Sequence, residues 1–167
     1  RANKFNAGIR GQILWREEQI SRGDLLMVVK NNYFWTDVDK RIDFIANGDI
    51  ARIERVIGFE EIYGLRFADV ELRMMDHDGV ELEAKVMLDV LEVEGPSMPM
   101  DVQRRLYNTI LEDYPGLTNR KQRAEQMMKD KYFNALQVKF AYAVTCHKAQ
   151  GGQWKSVFLD LGYFTED

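Results

Sequence analysis

The sequence predicts an α/β plus β architecture, with helices and strands at the two ends in one layer and a small β-barrel inserted between them. Three observations predict it. Helical periodicity near the N-terminus gives way at Gly23 to a continuous apolar run, Leu25 to Val29. From Asn47 to Val93, short apolar alternations are separated by turn residues. Beyond Gly95-Pro96-Ser97-Met98-Pro99, two further helical stretches precede a second alternating segment, Val138 to Thr145.

Asn3 to Arg22 reads as a helix because Phe5, Ile9, Ile13 and Ile20 recur near helical spacing and Gly23 supplies a stop. Leu25 to Val29 suits a strand buried on both faces. The polar stretch that follows carries Tyr33, Phe34 and Trp35, which serve either as a base-stacking platform or as a plug between subdomains. Asn47-Gly48-Asp49 is a turn, and strands are expected at Ile50–Ile57, Leu65–Met75 and Val80–Leu91. Asp78-Gly79 is a hairpin signal between the last two. In the third strand Val80, Leu82, Ala84, Val86 and Leu88 alternate with Glu81, Glu83, Lys85, Met87 and Asp89, one face buried and the other solvated. Several such strands make a small barrel.

Met100–Tyr114 and Asn119–Leu136 read as helices separated by Pro115-Gly116, with Pro99 placed to open the first. Met127 and Met128 are expected as core filler, and the basic run Arg120, Lys121, Arg123, Lys129 and Lys131 as a solvated face. Val138, Phe140, Tyr142 and Val144 then alternate as a strand. It ends in a polar turn, Thr145-Cys146-His147-Lys148-Ala149-Gln150-Gly151-Gly152, before a second apolar strand, Ser156–Leu161. Polar residues at the carboxyl end of a strand are where an open α/β sheet binds ligands, and two glycines there allow backbone N–H groups to approach a phosphate.

The string Ala143-Val144-Thr145-Cys146-His147-Lys148-Ala149-Gln150-Gly151 resembles motif V of superfamily 1 DNA helicases, especially the RecD-like branch with its T-x-H-K-x-Q-G core. Arg1 to Arg10 is similar to the helix after motif IV in that branch, and Gly23-Asp24 through Asn31-Asn32, with Asn47-Gly48-Asp49, resembles its GD-x-x-M-x-x-x-N-N and N-G-D region. The resemblance implies a partial second RecA-like domain of the P-loop NTPase class, residues 1–46 and 95–167, with an SH3-like barrel inserted at 47–94. It implies that Thr145, His147 and Lys148 contact single-stranded DNA, and that Gln150 and Gly151 face the nucleotide γ-phosphate. Gln153 stands where the family commonly has a ribose-binding Glu, and an amide is a weaker acceptor than a carboxylate. Motif IV and motif VI would lie outside the chain.

Composition bounds the other classes. The net charge of −4 is unevenly placed: residues 48–94 carry 13 acidic and 5 basic groups, whereas residues 1–47 carry 6 and 8 and residues 95–139 carry 5 and 8. Nucleic acid would therefore meet a narrow groove made by the flanks rather than the whole surface. No G-x-x-x-x-G-K-[ST] sequence occurs, so ATP and Mg²⁺ are expected to be bound by the full-length protein and not by this chain, which carries no catalytic residue of its own. One cysteine and two distant histidines give no metal spacing, and Cys146 is expected to pack as a small apolar residue. The start at Arg1 and the lack of a signal pattern or membrane span lead to the expectation of an internal, cytoplasmic fragment. Its expected partners are single-stranded DNA, an upstream first RecA-like domain, and nuclease or helicase subunits. The competing classes are a non-catalytic nucleic-acid-binding module and a protein-interaction module using the acidic barrel.

Overall fold

The computed structural model describes residues 1–36, 42–150 and 156–160. Five strands close into a barrel in chain order: β1 (Leu25–Val28), β2 (Ile50–Ile62), β3 (Leu65–Met74), β4 (Val80–Met87) and β5 (Leu136–Phe140). All neighbours run antiparallel except β4 and β5, which are parallel. A parallel pair needs a long crossover. Here it is the helical segment α2 (Asp89–Glu92), α3 (Met100–Glu112) and α4 (Arg120–Lys129).

The barrel draws two of its five strands, β1 and β5, from outside residues 47–94. β2 also runs to Ile62, beyond the expected Ile57, because Tyr63 and Gly64 both adopt positive φ and close a two-residue hairpin onto Leu65. Asp78 and Gly79 also adopt positive φ, at the end of the five-residue connection 75–79 that joins Met74 to Val80, so the hairpin their sequence predicts forms with a longer loop. Register shifts in β2 between Ile53 and Arg55 and between Val56 and Gly58 bend it around the barrel.

The interior is apolar: Leu26, Val28, Ile53, Val70, Leu72, Leu82, Val86, Leu136 and Val138 form one cluster. Each such buried side chain contributes about 1.5–3 kcal/mol relative to exposure. A second cluster lies between the barrel wall and the helices, where Leu65, Phe67 and Met87 meet Leu106, Ile110 and Met127. The expected solvated face of β4 holds at Glu81 and Glu83, which are exposed, but not at Lys85 and Met87, which point outward and are nevertheless buried beneath this second layer. Lys85 is compensated by Asp69 at 2.8 Å and Glu60 at 3.1 Å, and its ammonium lies 5.0 Å from the Tyr132 ring centroid.

Four other expectations are corrected. The N-terminal helix does not reach Arg22: α1 (Ala2–Gly8) continues as a π-helical turn, Ile9–Ile13, and stops where Trp15 takes φ +53°. The second long helix ends at Lys129. Asp130 accepts N–H bonds from Tyr132 and Phe133, and Asn134 donates to the Met127 and Asp130 carbonyls, so the chain turns and releases Leu136 into β5. Met128 is exposed, unlike Met127. Ser156–Asp160 form no strand, having no sheet neighbour among the described residues, and Leu161 lies outside the described residues.

Candidate nucleic-acid interface

The barrel delivers β5 to the segment of interest and then lets it go. Register pairing ends at Phe140, earlier than the predicted Thr145: the Ala141 N–H still donates to the Leu25 carbonyl, and beyond it the chain turns to α1 at Ala143. Asn6 grips this stretch with both ends of its amide: Nδ2 donates to the Phe140 and Ala143 carbonyls at 3.0 and 2.9 Å, and Oδ1 accepts from the Ala143 N–H at 2.7 Å.

One turn further along, Arg10 donates to both carboxylate oxygens of Asp24 at 3.1 and 3.0 Å and stacks its guanidinium 4.4 Å from the Phe140 ring centroid. The Tyr142 hydroxyl donates to Asp24 Oδ1 at 2.7 Å, Arg16 to the same oxygen at 2.5 Å, and the Ser21 N–H to Oδ2 at 2.7 Å. Burial by itself would push the Asp24 carboxyl up; hydrogen bonds from Arg10, Tyr142, Ser21 and Arg16 outweigh it and hold it below the usual carboxylate range. Burial, together with the Asp24 charge, pushes the Tyr142 phenol up to about 12.

This clamp reverses the expected face of α1. Asn6 and Arg10, four residues apart, are buried at 3% and 8% exposure, while Phe5 and Ile13 of the presumed apolar stripe are exposed. The helical spacing of Asn6 and Arg10, with the acidic Asp24 downstream, was the available sequence signal.

Beyond the clamp, Thr145 caps the short helix α5 (Cys146–Ala149). Its Oγ1 accepts from the Lys148 N–H at 3.4 Å and its carbonyl from the Ala149 N–H at 3.0 Å. The capping role and a DNA contact are compatible, because a hydroxyl that accepts from the backbone retains its own proton to donate outward. Thr145, His147 and Gln150 are exposed. So is Cys146, contrary to its expected packing. Lys148 is half-buried and donates from Nζ to Asn47 Oδ1 at 2.6 Å.

Asn47, Gly48 and Asp49, distant in sequence, thus sit beside the 145–150 loop. Asn47 receives a second anchor through its N–H to Asn31 Oδ1 at 2.8 Å, and Asp49 Oδ2 accepts from the Ala46 N–H at 2.8 Å and lies 2.7 Å from His77 Nε2. The structure therefore assembles Thr145, His147, Lys148 and Gln150 on one loop and adds Asn6, Arg10, Asp24, Tyr142 and Asn47 as its supports. Gly151 and Gln153 lie outside the described residues.

Among the described residues no cluster of three or more metal-ligating side chains occurs, and no helix is long and apolar enough to cross a membrane.

Residues 140–167 match the family model of the UvrD-like helicase C-terminal domain. No curated protein matches the chain. The matched stretch contains residues 145–153 and the approach to them from Phe140, and this similarity points to a helicase-related function.

Proposed function

We propose that the chain is the strand-gripping part of a RecD-like, ATP-dependent DNA helicase: a portion of its second RecA-like domain carrying an SH3-like barrel. Thr145, His147 and Lys148 contact the phosphodiester backbone of single-stranded DNA, while Gln150, Gly151 and Gln153 face a nucleotide shared with a first RecA-like domain. ATP and Mg²⁺ are held chiefly by that other domain, and a nuclease or further helicase subunit completes the assembly. The observation that carries this reading is that the exposed Thr145-x-His147-Lys148 loop falls within the helicase-matched segment and is anchored on both sides by buried or specific polar contacts.

A second feature supports it. Ile13 and Trp15 on one segment and Val157, Phe158 and Leu159 on another expose large apolar surface that suits burial against the rest of an α/β layer.

The test is anisotropy of labelled oligo-dT over a range of salt. Thr145→Ala is expected to weaken binding by about 2- to 10-fold, the loss of one hydrogen bond. Lys148→Ala is expected to reduce the slope of log K against log salt by about 0.7, one phosphate contact. Binding indifferent to both substitutions overturns the reading of the loop, and ATP hydrolysis by the purified chain overturns the assignment of phosphoryl transfer to another domain.

A further inference from the structure

Resting on the motif V reading above, we infer that the cleft beside Tyr33 seats a base of the same single strand. The aromatic triplet is split by the side chain of Asn32. Its Oδ1 accepts from the N–H groups of Phe34 and Trp35 at 3.0 and 3.4 Å, and its Nδ2 donates to the Asn134 carbonyl at 2.8 Å. That turn sends Trp35 inward, where Nε1 donates to the same carbonyl at 2.8 Å and the ring packs on the barrel core. Tyr33 is left 66% exposed and stacks on Phe44 with ring centroids 5.1 Å apart at 25°. The seam reading thus holds for Trp35, and the stacking reading remains for Tyr33.

Tyr33 also lines a cleft of about 270 Å³ with Lys30, Asn31, Asn32, Met128 and Phe133. The cleft is sized for a single ring system and offers aromatic faces, an amide edge and one cation.

Two features select a nucleobase over an apolar peptide side chain. The first is continuity: Lys148 bonds Asn47, Asn47 bonds Asn31, and Asn31 lines the cleft, so two successive hydrogen bonds join the 145–148 loop to the cleft that Tyr33 lines. The second is charge. None of the described lining residues is acidic, Lys30 lines the cleft with its ammonium donating to neutral Gln103, and exposed Lys129 follows Met128 along the chain. An aromatic face accepts any base, so the expected contribution is sequence-tolerant.

The experiment compares oligo-dT with an abasic oligonucleotide of the same length, using the wild-type chain and the Tyr33→Ala, Tyr33→Trp and Lys148→Ala variants, with circular dichroism to establish that each is folded. The wild-type chain and Tyr33→Trp are expected to prefer the base-bearing strand. Tyr33→Ala is expected to lose about 5- to 100-fold on oligo-dT, as removal of one stacked base predicts, to bind the abasic strand like wild type, and to keep the salt slope unchanged because no charge is removed. If Lys148→Ala weakens binding while Tyr33→Ala does not, the cleft proposal fails and the motif V reading stands. If Tyr33→Ala weakens binding while Lys148→Ala is silent, base seating is supported and the motif V reading fails. A wild-type chain that ignores both oligonucleotides but binds a proline-rich peptide in a Tyr33-dependent way overturns both.

Discussion

Asp24 is held ionised in a buried position by four donors that arrive from different parts of the chain. Its pKa lies below the unfolded value, so its stabilisation is fully present above about pH 4 and is lost as pH falls through its folded value. Urea midpoints measured from pH 7 downward should decline below about pH 4, and Asp24→Asn should remove most of that decline while destabilising by about 3 kcal/mol at pH 7, because Arg10 is left buried without its counter-charge. An acid limb identical in the variant would show that other carboxylates dominate. At this scale the sequence was half legible. Thr145 and His147 stood out as polar residues after an apolar run, but the sequence does not show what Asn6 and Asn47 contact, because those contacts span 137 and 101 residues.

Among elements, the Asn47-Gly48-Asp49 turn has the most consequence for the loop. Gly48 sits at φ +110°, where an added Cβ meets no atom within 4 Å but the backbone conformation is unfavourable for any L side chain. Gly48→Ala is therefore expected to cost about 1–3 kcal/mol through backbone strain alone and to weaken oligo-dT binding by displacing the Asn47 anchor of Lys148. Gly58→Ala, at a position equally open and without positive φ, should cost less; equal urea midpoints for the two variants would refute the strain argument. The hairpin at Asp78-Gly79 was readable because turn chemistry is local. The end of α4 was not, since helical periodicity runs on through Tyr132 and Leu136, and the stop is made by Asp130 and Asn134 side chains in combination. The early end of α1 has the same character: apolar Ile13, Leu14 and Trp15 look like helix continuation, and the polar clamp on Asn6 and Arg10 decides otherwise.

For the whole molecule, closure of the barrel is the central fact. A chain of residues 47–94 contains β2, β3 and β4 but neither β1 nor β5, and so lacks both sides of the seam at Leu26, Val28, Leu136 and Val138. It is expected to remain unfolded, with undispersed amide resonances, whereas residues 1–144, which keep both seam strands and the partners of Asp24, should give a dispersed spectrum. Autonomous folding of 47–94 would refute this account. The acidic balance of the middle segment also acquires a structural meaning, since Glu71 pairs with Arg55, Glu81 with Arg73, and Asp69 and Glu60 with Lys85 on the barrel wall.

By itself the sequence determined the class of elements, the turn positions that rest on Gly and Asp, and the polar turn at Thr145–Gln150 after an apolar run, because propensity, periodicity and turn stereochemistry are properties of neighbours along the chain. Only the tertiary structure decided that the flanking strands close the barrel, that the buried face of the first helix is polar, and that Asn47 meets Lys148. Strand pairing and buried charge compensation depend on which distant segments share a surface, and the energy that fixes them appears only when those segments are brought together.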